Sequence, residues 1–274
     1  MRRLAILVVL TALAAACTRI ERQFLPEPAL LTPAFARFAS APGAAVDHRP
    51  WDAFLAQYRG VDAAGVARVD YAAVTADDRA RLAAYIATLE AVDPADLDRA
   101  TALAYWLNLY NAVTVAVVLD HYPVASIRDI SDGPLPTGPW NRQLVTVAGR
   151  PLTLNDIEHR IVRPVFADPR IHYALNCAAV GCPNLAATAW RADGLGSRLD
   201  AAERAYVNDP RGLSIGEDGR VTASKIFAWF EEDFGSAEDL IARLVGAAEP
   251  ERAEALRRRG RIDAYAYDWA LNER

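Results

Sequence analysis

The sequence predicts an α+β protein that is mainly helical, with one globular domain and a small antiparallel sheet. Three observations support this prediction. Apolar residues recur at helical spacing along much of the chain, short alternating stretches occur near residues 66–71 and 143–154, and no internal repeat or second linker interrupts residues 47–274. Hydrophobic residues make up 53% of the chain, which is ample for the core of a domain of this size.

Residues 1–16 have the features of a secretory signal. Arg2 and Arg3 precede an uninterrupted apolar or small run from Leu4 to Ala16. A membrane-spanning helix needs about 20 residues, so this run favours a removable signal peptide over the alternative, a permanent anchor. The sequence therefore predicts an exported protein.

Cys17 directly follows this signal and is the predicted site of lipid attachment. The stretch Ala14-Ala15-Ala16-Cys17 is similar to the lipobox of bacterial lipoproteins, in which a fatty acyl chain such as palmitate is added to the protein. It departs from that pattern because the favoured leucine, Leu13, stands one residue too early. The alternative is an ordinary signal-peptidase cut after Ala16. Lipidation is favoured because a free N-terminal thiol would be a chemical liability in an oxidising compartment.

The neighbouring residue and the net charge indicate a location and exclude one class of partner. Thr18, and not an aspartate, follows the cysteine. By resemblance to Gram-negative lipoprotein sorting, this implies the outer membrane, facing the periplasm. Loss of Arg2 and Arg3 with the signal changes the formal net charge from −5 to −7, which argues against nucleic acid as a partner. The expected membrane contact is the lipid on Cys17, and the small-molecule or envelope ligand stays open.

Residues 17–46 are predicted to form the lipidated N-terminus and a flexible tether. They sustain no helical or strand period, and four prolines stand among small residues: Pro26, Pro28, Pro33 and Pro42. The globular domain is expected to span residues 47–274.

Within this domain, helices are assigned where apolar residues recur every three or four positions, and strands where they alternate. In chain order, the predicted elements are a helix over 51–58, a strand over 66–71, a helix over 82–92, a long helix over 101–122, a β-hairpin over 143–154, a helix capped by Asn155, a strand over 170–177, a helix over 225–234 and a helix opened by Ser236 with Asp239.

The long helix over 101–122 is the most apolar segment after the signal. Its length would permit a membrane span, but Asn108 and Asn111 lie within it and the signal already explains membrane association, so a buried central helix is favoured. At three-residue spacing the two amides share one face. They either tie the helix to neighbouring backbone, which is the favoured interpretation, or point into a cleft.

The stretch from Asn155 to Pro183 carries the most chemical information. It contains Asn155-Asp156-Ile157-Glu158-His159, then Asp168-Pro169-Arg170-Ile171-His172-Tyr173-Ala174-Leu175-Asn176-Cys177, and finally Gly181-Cys182-Pro183. Together with Tyr105-Trp106-Leu107-Asn108-Leu109-Tyr110-Asn111 and Tyr267-Asp268-Trp269-Ala270-Leu271-Asn272, it resembles the domain-of-unknown-function 547 family, from about Gly65 to the C-terminus. The resemblance implies that these segments belong to one domain, and it implies no reaction.

Three interpretations of Cys177 and Cys182 stay open. A structural disulfide is favoured, because an exported protein meets an oxidising compartment and Ala178–Gly181 can turn the chain. A thiol nucleophile activated by an imidazole is the second. Strand parity would place His172 and Cys177 on opposite faces, so that pair needs a bulge, whereas Cys182 is freer. Metal binding by His159 or His172 with the cysteines is the weakest, because the spacings typical of metal sites do not occur.

The candidate catalytic residues are therefore His172, Cys182, Cys177, Glu158 and Asn108, although Glu158 is better explained as the capping-box partner of Asn155. The leading hypothesis is a thiol-dependent hydrolase or acyltransferase of the cell envelope, with a cleft beside His172. The alternative is a non-catalytic, disulfide-stabilised binding or scaffold module. Neither a metal nor a cofactor is expected.

Overall fold

The computed structural model describes residues 26–41 and 46–274. The predicted signal, Cys17 and the first part of the predicted tether lie outside these residues. Over the described part of the chain the α+β prediction is confirmed, since helices predominate and the sheets are small.

Backbone packing divides these residues into two compact units. The larger unit contains Glu27–Leu199 and Trp269–Arg274, and the smaller is built mainly from Asp200–Asp268. That residues 47–274 behave as one domain in proteolysis stays a prediction.

The larger unit holds the long helix and most of the short elements. Its helices and strands are α1 (Arg49–Tyr58), β1 (Arg59–Val61), β2 (Ala67–Val69), α2 (Ala76–Glu90), α3 (Arg99–His121), β3 (Val145–Val147), β4 (Arg150–Leu152), a π-helix (Asp156–Val162), α4 (Arg163–Phe166) and the start of α5 (Leu195–Val207). Short 3-10 helices occur at Pro33–Ala36, Tyr71–Ala73, Pro94–Asp96, Ile127–Asp129 and Pro169–Tyr173.

Strand β2, the β3–β4 hairpin and α3 agree with the sequence prediction, whereas β1 was not predicted. β1 pairs with β2, and β3 pairs with β4 across Ala148 and Gly149, whose φ angles of 49° and 72° suit a tight hairpin turn. Helix α3 is long and apolar enough to cross a membrane, but 94% of its 18-residue apolar window is buried within the protein. This burial is what a central core helix requires.

The smaller unit combines a mixed sheet with short helices. It contains the rest of α5, followed by β5 (Leu213–Ile215), β6 (Val221–Ser224), α6 (Ile226–Trp229), α7 (Glu231–Phe234), α8 (Ala237–Ala247), α9 (Pro250–Arg259) and β7 (Ala264–Ala266). Strand β6 is central, antiparallel to β5 and parallel to β7. The helix predicted over 225–234 is interrupted at Phe230, while the reciprocal Ser236–Asp239 cap of α8 is confirmed.

The predicted strand over 170–177 is wrong. A 3-10 helix, Pro169–Tyr173, occupies its first part, and the Asp168 side chain accepts a hydrogen bond from the Arg170 N–H at its start. Proline fixes φ at a helical value and aspartate is a good N-cap, so these two residues favour a helical turn over the strand suggested by alternation. The prediction that His172 and Cys177 lie on opposite faces of a strand is therefore wrong as well.

The helix predicted to be capped by Asn155 begins earlier. The Thr153 hydroxyl accepts from the Asp156 N–H at 2.9 Å, and the Asp156 carboxylate accepts from the Thr153 N–H at 3.0 Å. Asn155 has helical backbone angles and makes no cap bond. The capping box therefore consists of Thr153 and Asp156, and the capping role predicted for Glu158 is also wrong.

The described part of the predicted tether lies on the larger unit. The N–H groups of Ala29 and Leu31 donate to the carbonyl oxygens of His159 and Arg160, at 3.3 and 2.9 Å. Further along, Ala39 N–H donates to the Leu97 carbonyl at 2.9 Å. The folded part of the larger unit therefore starts before residue 47, in contrast to the predicted boundary.

Candidate functional site

Two of the predicted site residues, His172 and Glu158, face each other in the larger unit. His172 lies on the 3-10 helix Pro169–Tyr173, and Glu158 lies on the π-helix. The His172 Nδ1 atom is 3.9 Å from Glu158 Oε1, and the side chains are 1% and 11% exposed. This separation is longer than a hydrogen bond but within reach of an ion pair when the imidazole is protonated.

His159 and Arg163 are two more buried polar residues on the helical stretch that carries Glu158. Arg163 Nη1 lies 3.0 Å from His159 Nδ1. Because a guanidinium can only donate, Nδ1 must accept, and a neutral His159 ring therefore carries its proton on Nε2. We call Glu158, His159, Arg163 and His172 the buried polar cluster. Glu158, His159 and Arg163 lie on one continuous helical stretch, and His172 faces its Glu158.

Pro164 explains why the backbone of this helix is unusual. It is the residue whose N–H an α-helix would direct at the Arg160 carbonyl and a π-helix at the His159 carbonyl, and proline has no N–H. Arg163 N–H donates five residues back, to the Glu158 carbonyl. The wider π turn places Glu158 and His159 in consecutive buried positions. Such turns are rare and occur often at functional sites.

Cys177 and Cys182 lie at the two ends of a short loop. Their sulfur atoms are at disulfide distance and their Cα atoms are 6.4 Å apart, which is within the range of native bridges. The chain reverses through a turn in which Cys182 N–H donates to the Ala179 carbonyl at 3.1 Å. Cys182 is 3% exposed and Cys177 is half-buried. The loop thus has the geometry predicted for a disulfide.

Three asparagines hold this loop in place. Asn111 on α3 donates to the Ala174 carbonyl at 2.9 Å and accepts from the Asn176 N–H at 2.8 Å. Asn176 donates to the Pro183 carbonyl at 2.8 Å and accepts from the Ala178 N–H at 3.0 Å and from Asn272 Nδ2 at 3.3 Å. These bonds tie α3 to both ends of the cysteine loop.

Asn108 is used differently from Asn111, although both lie on α3. Its Oδ1 accepts from the Trp190 N–H at 2.9 Å and its Nδ2 donates to the Trp190 carbonyl at 2.9 Å. This pairing supports the interpretation that the amides tie α3 to neighbouring backbone. Asn108 therefore has a structural role, and these contacts do not support the prediction that it is catalytic.

His48 is a buried polar residue that sequence reasoning missed. Its Nδ1 lies 2.7 Å from the Tyr85 hydroxyl, and its Nε2 lies 3.2 Å from Asn108 Nδ2. The Trp190 N–H fixes the amide orientation of Asn108, so Nδ2 donates to His48 Nε2 and the imidazole proton must be on Nδ1. Burial lowers the pKa of His48 to about 4, with Arg191 as a further cause.

The signals for these missed residues differ. His48 stands at the end of a proline-containing stretch, outside any periodic segment or motif, so no local sequence pattern indicated its role. Asn111 and Asn272 belong to motifs that resemble the family, but no local pattern indicates that both contact Asn176.

Within residues 26–41 and 46–274, no three His, Cys, Asp or Glu side chains are placed so that they could hold a metal ion together. We therefore assign no metal ligands in this part of the protein.

The arrangement defines a class: an α+β domain built around one buried helix, with a cysteine loop held by amides and a buried pair of His172 and Glu158. Residues 94–207 match a family model described as "Protein of unknown function, DUF547". This match confirms the family resemblance over those residues, whereas the C-terminal motif Tyr267–Asn272 lies outside them. Neither the curated proteins nor the solved structures gave a significant match. The family description names no reaction.

Proposed function

We propose that this protein is an exported, lipid-anchored component of the cell envelope whose domain is a non-catalytic, disulfide-stabilised binding or scaffold module. The observation that carries the proposal is the placement of the two sulfurs of Cys177 and Cys182 against each other. A bridged pair has no thiolate to act as a nucleophile. The proposed bridge fixes the local loop more than the whole domain, because it closes only a few residues.

The hydrogen bonds around the loop support a binding or scaffold role. Asn111 and Asn176 direct their amides at backbone groups, and the loop itself pairs with the C-terminal segment, since Val180 N–H donates to the Ala270 carbonyl at 2.8 Å and Asn272 N–H to the Ala178 carbonyl at 3.0 Å. Polar side chains used in this way position backbone. They support a scaffold role, in which a loop of buried and half-buried residues is held rigidly in place.

Thiol accessibility tests the non-catalytic proposal. We expect an alkylating probe to label neither Cys177 nor Cys182 in the native protein until a reductant is added, and a non-reduced digest to contain the two cysteine peptides linked. Cys177→Ser serves as the matched control, because it frees Cys182 and should restore labelling after unfolding. Rapid alkylation of either wild-type thiol near neutral pH would overturn the proposal.

The lipid anchor is tested separately. Expression in a bacterial host with labelled palmitate should give a membrane-bound, labelled protein, and Cys17→Ser should be unlabelled. In a Gram-negative host we expect the label in the outer-membrane fraction, because Thr18 follows the cysteine. A soluble, unlabelled wild-type protein would contradict this part of the proposal without affecting the thiol result.

A thiol-dependent hydrolase or acyltransferase is the second candidate. The observation that favours it is the buried His172–Glu158 pair, because a carboxylate beside an imidazole is the arrangement that orients a general base. This candidate predicts that the reduced protein hydrolyses an activated thioester. It also predicts that the reaction is abolished by His172→Gln and by the substitution of the nucleophilic cysteine, Cys177→Ser or Cys182→Ser, each made as a single variant. Equal rates in all variants would eliminate this candidate.

A further inference from the structure

Residues 29–39, here called the N-terminal strap, complete the hydrogen bonding of the π-helix. Pro164 cannot supply an N–H to the carbonyl groups of His159 and Arg160, and these two carbonyls accept from Ala29 and Leu31 of the strap. A helical carbonyl that loses its donor to proline must find another partner when water is excluded. The strap supplies that partner from a distant part of the sequence.

Aromatic side chains fix the rest of the strap. The Phe35 ring packs edge-on against Trp106 of α3, with centroids 5.3 Å apart. The Phe38 ring lies 5.7 Å from Phe166 of α4. The Arg99 guanidinium contacts both of those rings, at 5.4 and 5.0 Å from their centroids, and also donates to the Phe166 carbonyl at 3.0 Å. The strap is therefore attached to the helices on both sides of the π-helix.

The π-helix that the strap completes also carries Glu158 and His159 of the buried polar cluster. We propose that the N-terminal strap is a conformational device: when bound, it holds the π-helix in the register that directs Glu158 at His172, and its release loosens the buried polar cluster. This role does not depend on whether the domain is catalytic.

Along the chain, the strap lies between the proposed lipid anchor and the buried polar cluster. If Cys17 is lipidated, as proposed above, the 12 residue steps from Cys17 to Ala29 span at most about 40 Å. The strap is then the first described hydrogen-bonded segment beyond the anchor.

Removal of the two strap donors tests the device in the complete chain from residue 17. The double variant Ala29→Pro with Leu31→Pro lacks both N–H groups, and the double variant Ala29→Val with Leu31→Val keeps them. Two net hydrogen bonds correspond to roughly a tenfold or larger change in a local opening equilibrium. Hydrogen exchange across residues 156–166 should therefore accelerate about tenfold in the proline variant and much less in the valine control.

Exchange across residues 237–259 of the smaller unit is the internal reference. We also expect the ring resonances of His172, assigned with His172→Gln, to shift in the proline variant. Unchanged hydrogen exchange of the π-helix in a folded proline variant would overturn the proposal. Equal acceleration across residues 156–166 and 237–259 would also overturn it, because it would indicate global destabilisation. If the double variant does not fold, Phe38→Ala, which removes a strap anchor and leaves the N–H donors in place, should give the same selective acceleration in smaller degree.

Discussion

Two sets of buried polar side chains in the larger unit have different partners. In the first set, here called the amide region, His48 and Asn108 form one group, and Asn111, Asn176 and Asn272 form a second; the partners are neutral and hydrogen-bonded. In the second set, the buried polar cluster, His172 faces a carboxylate at 3.9 Å. Burial alone therefore does not assign a role to a histidine, because its partners decide whether its ionised form is tolerated.

The amide region favours a neutral His48. A proton on Nε2 would point at the Nδ2 donor of Asn108, which cannot rotate without losing both of its bonds to Trp190. Charged groups also surround this histidine: Asp47 and Asp52 favour protonation, and Arg191 opposes it. In the buried polar cluster, by contrast, Glu158 offers a countercharge to a protonated His172.

The largest expected effect is at Asn176, because this residue hydrogen-bonds to Asn111, Pro183, Ala178 and Asn272. Asn176→Ala removes the bonds of this side chain to the Pro183 carbonyl, the Ala178 N–H and Asn272 Nδ2, and the free energy of unfolding should fall by about 3–5 kcal/mol. Chemical denaturation measures this loss. As a control, Asn155→Ala removes a bond to Asn141 near the surface and should cost less than about 1 kcal/mol. Similar losses of unfolding free energy in the two variants would contradict the prediction that Asn176 stabilises the fold more than Asn155 does.

A pH titration of stability tests the effect of burial on His48. The pKa of His48 is lowered from 6.5 to about 4 in the folded protein, so between these values the unfolded chain binds the extra proton. The contribution is fully present above pH 6.5 and is lost as the pH falls towards 4, for a total of up to about 3 kcal/mol.

His48→Gln is the matched variant for this titration. It removes the titrating group, so its unfolding free energy should decline less steeply than that of the wild type over the same pH range. Parallel curves for the two proteins would show that other groups cause the dependence and that His48 is protonated without penalty.

The smallest expected effect concerns the buried polar cluster. A double-mutant cycle of Glu158→Gln and His172→Gln at pH 8 should give a coupling energy below about 1 kcal/mol, because 3.9 Å exceeds hydrogen-bond length. A coupling energy above about 2 kcal/mol would contradict the contrast between the two regions. The Glu158 carboxylate and the His172 imidazole would then interact as strongly as the hydrogen-bonded groups of the amide region.

Much of the fold was predictable from local patterns. The burial of α3 followed from its continuous apolar composition, the β3–β4 hairpin from two short runs around Ala148-Gly149, and the start of α8 from Ser236 and Asp239. The Cys177–Cys182 geometry followed from short spacing and a loop that can turn. Each of these features depends on residues close in sequence, so periodicity, caps and turns were sufficient to find them.

Only the tertiary structure decided what the polar residues contact. Asn108 and Asn111 are three residues apart, yet one bonds Trp190 and the other bonds Asn176, and His48 reaches Asn108 across 60 positions. The strap over the π-helix likewise joins residues far apart in the chain, and the feature that requires it, Pro164, specifies a missing donor but not its replacement. The physical reason is that a buried polar atom needs a partner, and any part of the chain that packing brings near can supply one.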